Sequence, residues 1–455
     1  MIKITVFLIL FLVGTIAITH HFNSQDVDAF SHCEEPPGPS VNLSGCDLTG
    51  KNFLSADLSN ADLRGVILTE VNLSNANLKG ANLSDAILTR AGLSNADLRG
   101  ADLTGADLSG AKLVGAKISN AILRGADLSF ADLSGADLRG ADLSGADLSG
   151  SLLATADFSN ANLKETNFEG ANLSGAILKE LDLTGADLSG ADISGADLSG
   201  AILKNVTFSN ANFKGANFEG ANLSGATFED AGLSNADLSG ANLSGTKFSG
   251  VTISNANLKG ADLTGADFSS VKLTGSDLSG AILKNVKFES ANLKGVDLSE
   301  ADLTGAFFKY VDLTRANLRG ANLQDSNISG VGLSGADLSG ADLSRSNLSG
   351  ANLAGADLSG AILRDVDLSK SDLSNADLSG SDLSGASFSG VVMENSILRG
   401  ANLEGADLSG VDLTTVDFET DDIKGAKTDG TKLPERGFFF FRELFNFFKS
   451  LFGWE

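Results

Sequence analysis

Apolar residues recur at every fifth position along most of the chain. Each fifth residue from Leu43 to Ile423 is Leu, Phe, Ile or Met, and a small residue, usually Ala, stands two positions earlier. An α-helix repeats its apolar positions about every 3.6 residues and a half-buried strand every second residue. A strict period of five therefore predicts a solenoid, in which successive short segments turn their apolar side chains toward one continuous core.

The residue order within each repeat resembles that of a known family. The consensus is Ala-Asp-Leu-Ser-Gly, as in residues 106–110 and 141–145. This resembles the pentapeptide-repeat family, whose pattern is Ala, Asp or Asn, Leu and two variable residues, and the resemblance covers residues 41–425. It implies an all-β solenoid, a right-handed quadrilateral β-helix in which one pentapeptide forms one face and four form a coil. The repeats then make about 19 coils.

Phenylalanine gives independent support for a coil of twenty residues. Phe takes the central apolar position 13 times, and eight of these residues share one phase in steps of twenty. Aromatic residues stacked on neighbouring coils gain about 0.5–1.5 kcal/mol per pair beyond the area they bury. The predicted row of core phenylalanines is Phe168, Phe208, Phe228, Phe248, Phe268, Phe288, Phe308 and Phe388.

The first 29 residues have the features of an export signal. Lys3 precedes an apolar run from Ile4 to Ile18, and residues 27–29 (Val-Asp-Ala) form an acceptable cleavage site. The run is shorter than the roughly twenty residues that span a membrane. A cleaved secretory signal peptide over residues 1–29 is therefore favoured over an uncleaved anchor, and the protein is predicted to be secreted or held at the cell surface.

Two cysteines lie at the start of the repeats. Cys46 occupies a small inward position, and Cys33 lies in the Pro-containing segment 30–40, which is predicted to cap the open end of the solenoid. Two cysteines in an exported chain favour a disulfide. A buried free thiol beside an unrelated cap residue is an equal alternative.

The repeat ends in a linker, residues 426–437, and an aromatic segment, residues 438–455. Apolar residues at helical spacing predict a short amphipathic α-helix there. This helix could serve as a cap, as a homodimer contact or as a membrane-interface anchor, and family relatives that dimerise through C-terminal elements favour cap and dimer. The residues concerned are Phe441, Leu444, Phe445, Phe448 and Phe452.

Outward positions of the repeat carry ordered charges. Asp or Asn usually precedes the central apolar residue and is expected to hydrogen-bond turn backbone groups, which we favour over a dedicated cation site. Basic residues follow the central residue on two adjacent faces. Charge balance beside the acidic rows is favoured over a partner surface for them. One row contains Lys79, Arg99, Arg139, Lys179, Lys259, Arg319 and Arg399, and the other contains Arg64, Arg124, Lys164, Lys204, Lys284 and Arg364.

Charge and composition limit the function classes. The net charge of −25 argues against direct nucleic-acid binding, because phosphate would be repelled. Histidine occurs only at His20, His21 and His32, before the repeats, so the repeats hold neither a catalytic base of that type nor a His/Cys metal site. We therefore expect no enzymatic activity, no cofactor and no metal.

Two functions remain. The first is an exported, non-enzymatic structural or protein-interaction rod that presents regular acidic faces to an unidentified protein partner. The second is a DNA-mimicking inhibitor of a topoisomerase or another DNA-binding protein, since some pentapeptide-repeat proteins imitate duplex DNA. The predicted export signal disfavours the second function, because topoisomerases are intracellular.

Overall fold

A single coil geometry repeats through the part of the chain that the computed structural model describes, residues 31–434. Residues twenty positions apart form parallel backbone bridges, beginning with Asn42 and Asp62 and continuing to Asp412 and Lys432. The Leu43 N–H donates to the Asp62 carbonyl at 2.8 Å, and the Asp62 N–H donates to the Val41 carbonyl at 2.8 Å. Four pentapeptides therefore complete one turn of a β-helical solenoid. The predicted signal peptide and the predicted C-terminal helix lie outside the described residues.

Each pentapeptide ends in a tight corner. After Leu58, for example, the Ala61 N–H donates to the Leu58 carbonyl at 3.1 Å. The residue before Ala61 is Asn60, whose φ is +54°, a left-handed conformation that Gly and Asn tolerate best. At Gly150, where φ is +63°, a Cβ atom would also lie 2.6 Å from the exposed Phe130 ring of the previous coil, so a larger residue there would have to displace that ring.

The core is a narrow apolar column that runs along the coil axis. The central Leu and Phe residues and the small residues two positions before them are almost all buried. Leu181, a large residue in a small position, is also buried. Ser151, in a small position, keeps its hydroxyl hydrogen-bonded: Ser151 Oγ donates to the Leu148 carbonyl at 2.6 Å.

Regular secondary structure is short because each face holds only a few residues. A 3₁₀ helix spans Ser31–Glu34 at the N-terminal end. Four strands lie on one face: β1 (Thr227–Glu229) pairs in parallel with β2 (Lys247–Ser249), and β3 (Lys287–Glu289) pairs in parallel with β4 (Phe307–Lys309). Within residues 31–434 no helix is long and apolar enough to cross a membrane.

Coil pairing extends past the predicted end of the solenoid at residue 425. The Lys427 N–H donates to the Ala406 carbonyl at 2.8 Å, and the Lys432 N–H donates to the Val411 carbonyl at 2.9 Å. Residues 426–432, predicted as linker, therefore belong to the last coil. The prediction stopped early because it followed apolar side chains, whereas pairing between coils uses backbone groups and tolerates Thr428 at a central position.

Candidate interaction faces

The outward Asp and Asn residues hold the turns of the coil. Asp107 Oδ1 accepts a hydrogen bond from the Ser109 N–H at 2.9 Å and another from Ser109 Oγ at 2.7 Å. Asn82 and Ser84 form the same pair of bonds, at 3.0 and 2.9 Å. This side chain supplies a partner for a backbone N–H two residues later, which is why short polar residues with an oxygen acceptor suit the position.

Asparagine also separates carboxylates on neighbouring coils. Asn77 Nδ2 donates to Asp57 Oδ1 at 2.8 Å, and Asn217 Nδ2 donates to Asp197 Oδ1 at 3.2 Å. Such bonds replace a repulsive pair of carboxylates by a donor and an acceptor. The same contact, always to the coil twenty residues earlier, joins Asn162 to Asp142, Asn167 to Asp147, Asn212 to Asp192, Asn257 to Asp237, Asn317 to Asp297 and Asn402 to Asp382.

The basic rows pair with carboxylates in two ways. Where Asp stands two residues earlier, the cation turns back to it, as in Arg139–Asp137 at 2.7 Å. Several cations that follow Ile or Asn instead reach the next coil, eighteen residues onward, as in Arg399–Asp417 at 2.7 Å. Further pairs of the first kind are Arg64–Asp62 and Arg99–Asp97, and of the second kind Arg124–Asp142, Lys164–Asp182, Lys284–Asp302 and Arg364–Asp382. Not every member of the rows does so: Lys179 lies 3.7 Å from Glu180 of its own repeat. Within residues 31–434 no ion pair is formed by Lys79, Lys204, Lys259 or Arg319.

At some of these carboxylates the contacts lower the pKa. The Arg99 side chain lowers the pKa of Asp97, and the Arg139 side chain lowers the pKa of Asp137. Hydrogen bonds from Thr414, with a further one from Lys432, lower the pKa of Asp412 to about 2. Carboxylates with such low pKa values are poor proton donors and acceptors near neutral pH, so they act as fixed charges on the surface.

Six phenylalanines of the predicted row form a continuous buried stack. The ring centroids of Phe228 and Phe248 are 5.2 Å apart with an interplanar angle of 8°, and those of Phe248 and Phe268 are 4.6 Å apart at 11°. The remaining steps of the stack are Phe208–Phe228 at 4.7 Å, Phe268–Phe288 at 5.5 Å and Phe288–Phe308 at 5.1 Å. We call the side of the solenoid above this stack the phenylalanine face, and strands β1 to β4 lie on it.

The two outlying members of the row are buried but do not join the stack. Leu188 occupies the row between Phe168 and Phe208, and Leu368 lies on the coil before Phe388. The Phe168 ring instead packs edge to face against the Phe158 ring, with the two ring centroids 6.1 Å apart. A shared phase is thus insufficient for contact, because stacking also requires that the adjacent coil carry an aromatic residue.

Two phenylalanines outside the predicted row join the aromatic core. The Phe213 ring lies 5.1 Å from Phe208 and 5.2 Å from Phe218. All three residues are fully buried. They occupy three successive faces of one coil, and their consecutive central positions in the sequence were the signal that could have predicted this cluster.

Cys33 and Cys46 form a disulfide in the structure, with their Cα atoms 5.5 Å apart. Cys46 is fully buried in a small position, and Cys33 packs against the core from the N-terminal segment. His32 lies beside them, with Nε2 3.0 Å from the Ser44 carbonyl oxygen. His32 and the two sulfurs are close enough together to share a metal ion, but a disulfide lacks the thiolates that bind metals. The linkage ties the segment before the repeats to the first coil.

The predicted C-terminal contact residues, Phe441 to Phe452, lie outside the described residues. Many of the described Asp carboxylates are bound by turn N–H groups, asparagine amides or cations on convex faces, as at Asp57 and Asp137. Such an arrangement is suited to presenting a fixed pattern of charge and shape, and it resembles neither an acid–base pair nor an ion cage.

Comparisons with known proteins bear on the repeat itself. The family model of pentapeptide repeats matches residues 40–230 and 246–415 in overlapping or adjoining segments. A search of curated protein sequences found no match.

Several solved structures are similar in sequence. HetL from the cyanobacterium Nostoc sp. strain PCC 7120 is 34% identical over 53% of this chain and 98% of its own, with a TM-score of 0.20. A thylakoid-lumen protein of Arabidopsis thaliana is 38% identical over 29% of this chain and 68% of its own, with a TM-score of 0.15. QnrB1, a plasmid-mediated fluoroquinolone resistance protein, is 25% identical over 44% and 91%, with a TM-score of 0.17.

These TM-scores are too low to support an argument from overall shape, so the assignment rests on the family model, which covers most of the chain. The repeat sequence and the twenty-residue coil agree with that match. The chain belongs to the pentapeptide-repeat family.

Proposed function

We propose that the protein is an exported, non-enzymatic rod that presents regular faces to a protein partner. The observation that carries the proposal is that many outward side chains form hydrogen bonds or ion pairs with other groups of the solenoid. Asp and Asn bind turn N–H groups, and cations bind Asp. Because these side chains are already ordered, a partner that binds them causes little further loss of side-chain entropy.

Export is supported by the sequence of residues 1–29 and by the cysteine pair. Disulfides persist mainly in oxidising compartments, and the Cys33–Cys46 linkage suits a protein that leaves the cytosol. The test is fractionation of expressing cells, followed by N-terminal sequencing of the mature protein. We expect an extracytoplasmic protein that begins after residue 29, and a cytoplasmic pool that retains residues 1–29 would contradict export.

We also propose that residues 438–455 mediate homodimerisation. Eight Phe and one Trp in this segment exceed what the cap of one small coil needs. Light scattering should give a dimer mass for the wild-type chain and a monomer mass for Phe441→Ser/Phe445→Ser/Phe448→Ser. Equal masses would contradict a dimer contact here. Partition of the wild-type chain, but not of the variant, onto neutral phospholipid vesicles would indicate the membrane anchor instead.

One feature favours DNA mimicry as a second candidate. Asp337, Asp357 and Asp377 lie on consecutive coils of one face, and their backbones are bridged. Coils spaced by about 4.8 Å then carry a line of negative charge that resembles a phosphate backbone. The mature protein should inhibit DNA supercoiling by a purified type II topoisomerase, and Asp337→Asn/Asp357→Asn/Asp377→Asn should relieve the inhibition. No inhibition at micromolar protein would exclude this function.

A further inference from the structure

The phenylalanine face changes its chemistry between Lys287 and Asn347. Along the column of outward residues that precede the central position, the N-terminal part carries Asp107, Asp127 and Asp147 on consecutive coils. Further along, the column contains no carboxylate between Asp267 and Asp367. The residues between them are Lys287, Phe307, Asn327 and Asn347. In a chain of net charge −25, this is a window of locally positive charge.

Two exposed aromatic residues lie in this window. Phe307 is 36% exposed and Tyr310 is 77% exposed, and they flank Lys309 on strand β4 and the corner that follows it. Lys309 Nζ lies 5.2 Å from the Tyr310 ring centroid and 2.5 Å from Glu289 Oε1. These contacts hold the lysine across the tyrosine ring and neutralise the one acidic side chain of strand β3.

The remaining cation of the window is unpaired. Lys287 is exposed, lies in register with Phe307 across the β3–β4 pair and forms no ion pair with any residue between 31 and 434. The stacked rings of Phe288 and Phe308 support both strands from below, so the backbone under these side chains is firmly packed. We call Lys287, Phe307, Lys309 and Tyr310 the aromatic patch.

We propose that the aromatic patch is a docking site for an acidic segment of a partner protein that carries an apolar or aromatic anchor. An aromatic pair on a rigid support is typical of the centre of a protein interface. An anchor packed on Phe307 and Tyr310 would place neighbouring carboxylates beside Lys287. Acidic stretches of the column would repel the same segment. Lys247 also lies in a stretch without carboxylates, between Asp187 and Asp267, but within that described stretch no exposed aromatic residue accompanies it, so charge and the aromatic pair together favour the patch. This inference rests on the proposed role as a protein-interaction rod and names the surface and the partner chemistry.

The chain contains a matched control for the patch. Phe130 lies at the same corner as Tyr310, nine coils earlier, and is 74% exposed. Its neighbours in the outward column are Asp127 and Asp147, so it offers an aromatic ring in acidic surroundings. Phe130→Ser therefore removes an equally exposed ring without touching the patch.

The test uses a fluorescein-labelled peptide of alternating Glu residues around a central Leu-Trp, and its counterpart with Lys in place of Glu. Fluorescence anisotropy with the full-length protein should show saturable binding of the acidic peptide. The affinity should fall at least tenfold in Phe307→Ser/Tyr310→Ser and in Lys287→Glu, and it should be unchanged in Phe130→Ser. Thermal unfolding of each variant checks that the coil is intact.

Two results would overturn the proposal. Acidic-peptide binding that survives both patch variants would place the site elsewhere, and the role as an interaction rod would stand. Failure of the wild-type protein to bind the acidic peptide at 1 mM, with or without binding of the Lys peptide, would exclude an acidic partner. The fractionation experiment above tests the exported rod independently, so the two failures are distinguishable.

Discussion

Single side chains explain how a strongly acidic surface remains compatible with tight coils. Stacked carboxylates about 4.8 Å apart repel each other unless a donor lies between them. Asn217 lies between Asp197 and Asp237 on successive coils and donates to the first. Where Asn stands between two Asp residues of a column, it therefore contributes to stability as well as to turn formation.

Replacement of Asn217 by Asp should lower the thermal midpoint. The change removes one hydrogen bond and creates three consecutive carboxylates, at a cost of about 1 kcal/mol that 0.5 M NaCl should partly reverse. Asn222→Asp is the control, because its column neighbours, Ile202 and Asn242, carry no charge. Equal shifts for both variants, measured by circular dichroism, would refute the role of the amide.

One buried hydroxyl lacks a partner within the described residues. Ser326 Oγ is buried without a hydrogen bond, whereas Ser346 Oγ, in an equivalent small position, donates to the Leu343 carbonyl at 2.6 Å. Ser326→Ala should raise the unfolding free energy by about 1 kcal/mol, because an unsatisfied buried hydroxyl is removed. Ser346→Ala should lower it by a similar amount. Urea denaturation measures both, and a loss of stability in Ser326→Ala would contradict the assignment.

The phenylalanine stack stabilises its part of the coil beyond simple burial. Phe248 has stacked neighbours on both sides, whereas Phe388 has Leu on the adjacent coils of its row. Phe248→Leu should cost about 1–3 kcal/mol more than Phe388→Leu, because it breaks two ring pairs. Both side chains are buried, so the volume removed is matched. Equal thermal midpoints for the two variants would show that stacking adds nothing.

The disulfide should act locally. In a solenoid each coil contacts only its neighbours, so a linkage at one end stabilises mainly the first coils. Cys33→Ser/Cys46→Ala opens a loop with a sequence separation of 13, for which chain entropy predicts about 3 kcal/mol. Hydrogen exchange should accelerate over residues 43–58 and remain unchanged over residues 343–358. Uniform acceleration, or none, would contradict local capping.

The whole rod should lose stability in acid. Asp97, Asp137 and Asp412 have native pKa values below the roughly 3.9 of an unfolded Asp. Between these values the unfolded chain binds more protons, so stability is complete above about pH 4 and declines as the pH falls toward about 2.

Thermal midpoints at pH 6, 4, 3 and 2 should show this decline. Arg139→Gln should lessen the decline slightly, because the pKa of Asp137 then moves toward its unfolded value. A midpoint independent of pH over this range would refute the linkage. Exposed pairs contribute modestly one by one, and the effect depends on their number along the rod.

The amino-acid sequence alone determined the period, the inward positions and the turn role of Asp and Asn. These properties are local, since a pentapeptide must bury its Leu or Phe and close its corner wherever it lies. The tertiary structure decided which coil each side chain meets. It determined that Asn217 donates to Asp197 and that Arg399 pairs with Asp417 of the following coil. It also determined that Phe168 lies outside the phenylalanine stack and that backbone pairing between coils continues to Lys432. Such contacts depend on backbone hydrogen bonds between coils, which set residues about twenty positions apart side by side and which no single repeat encodes.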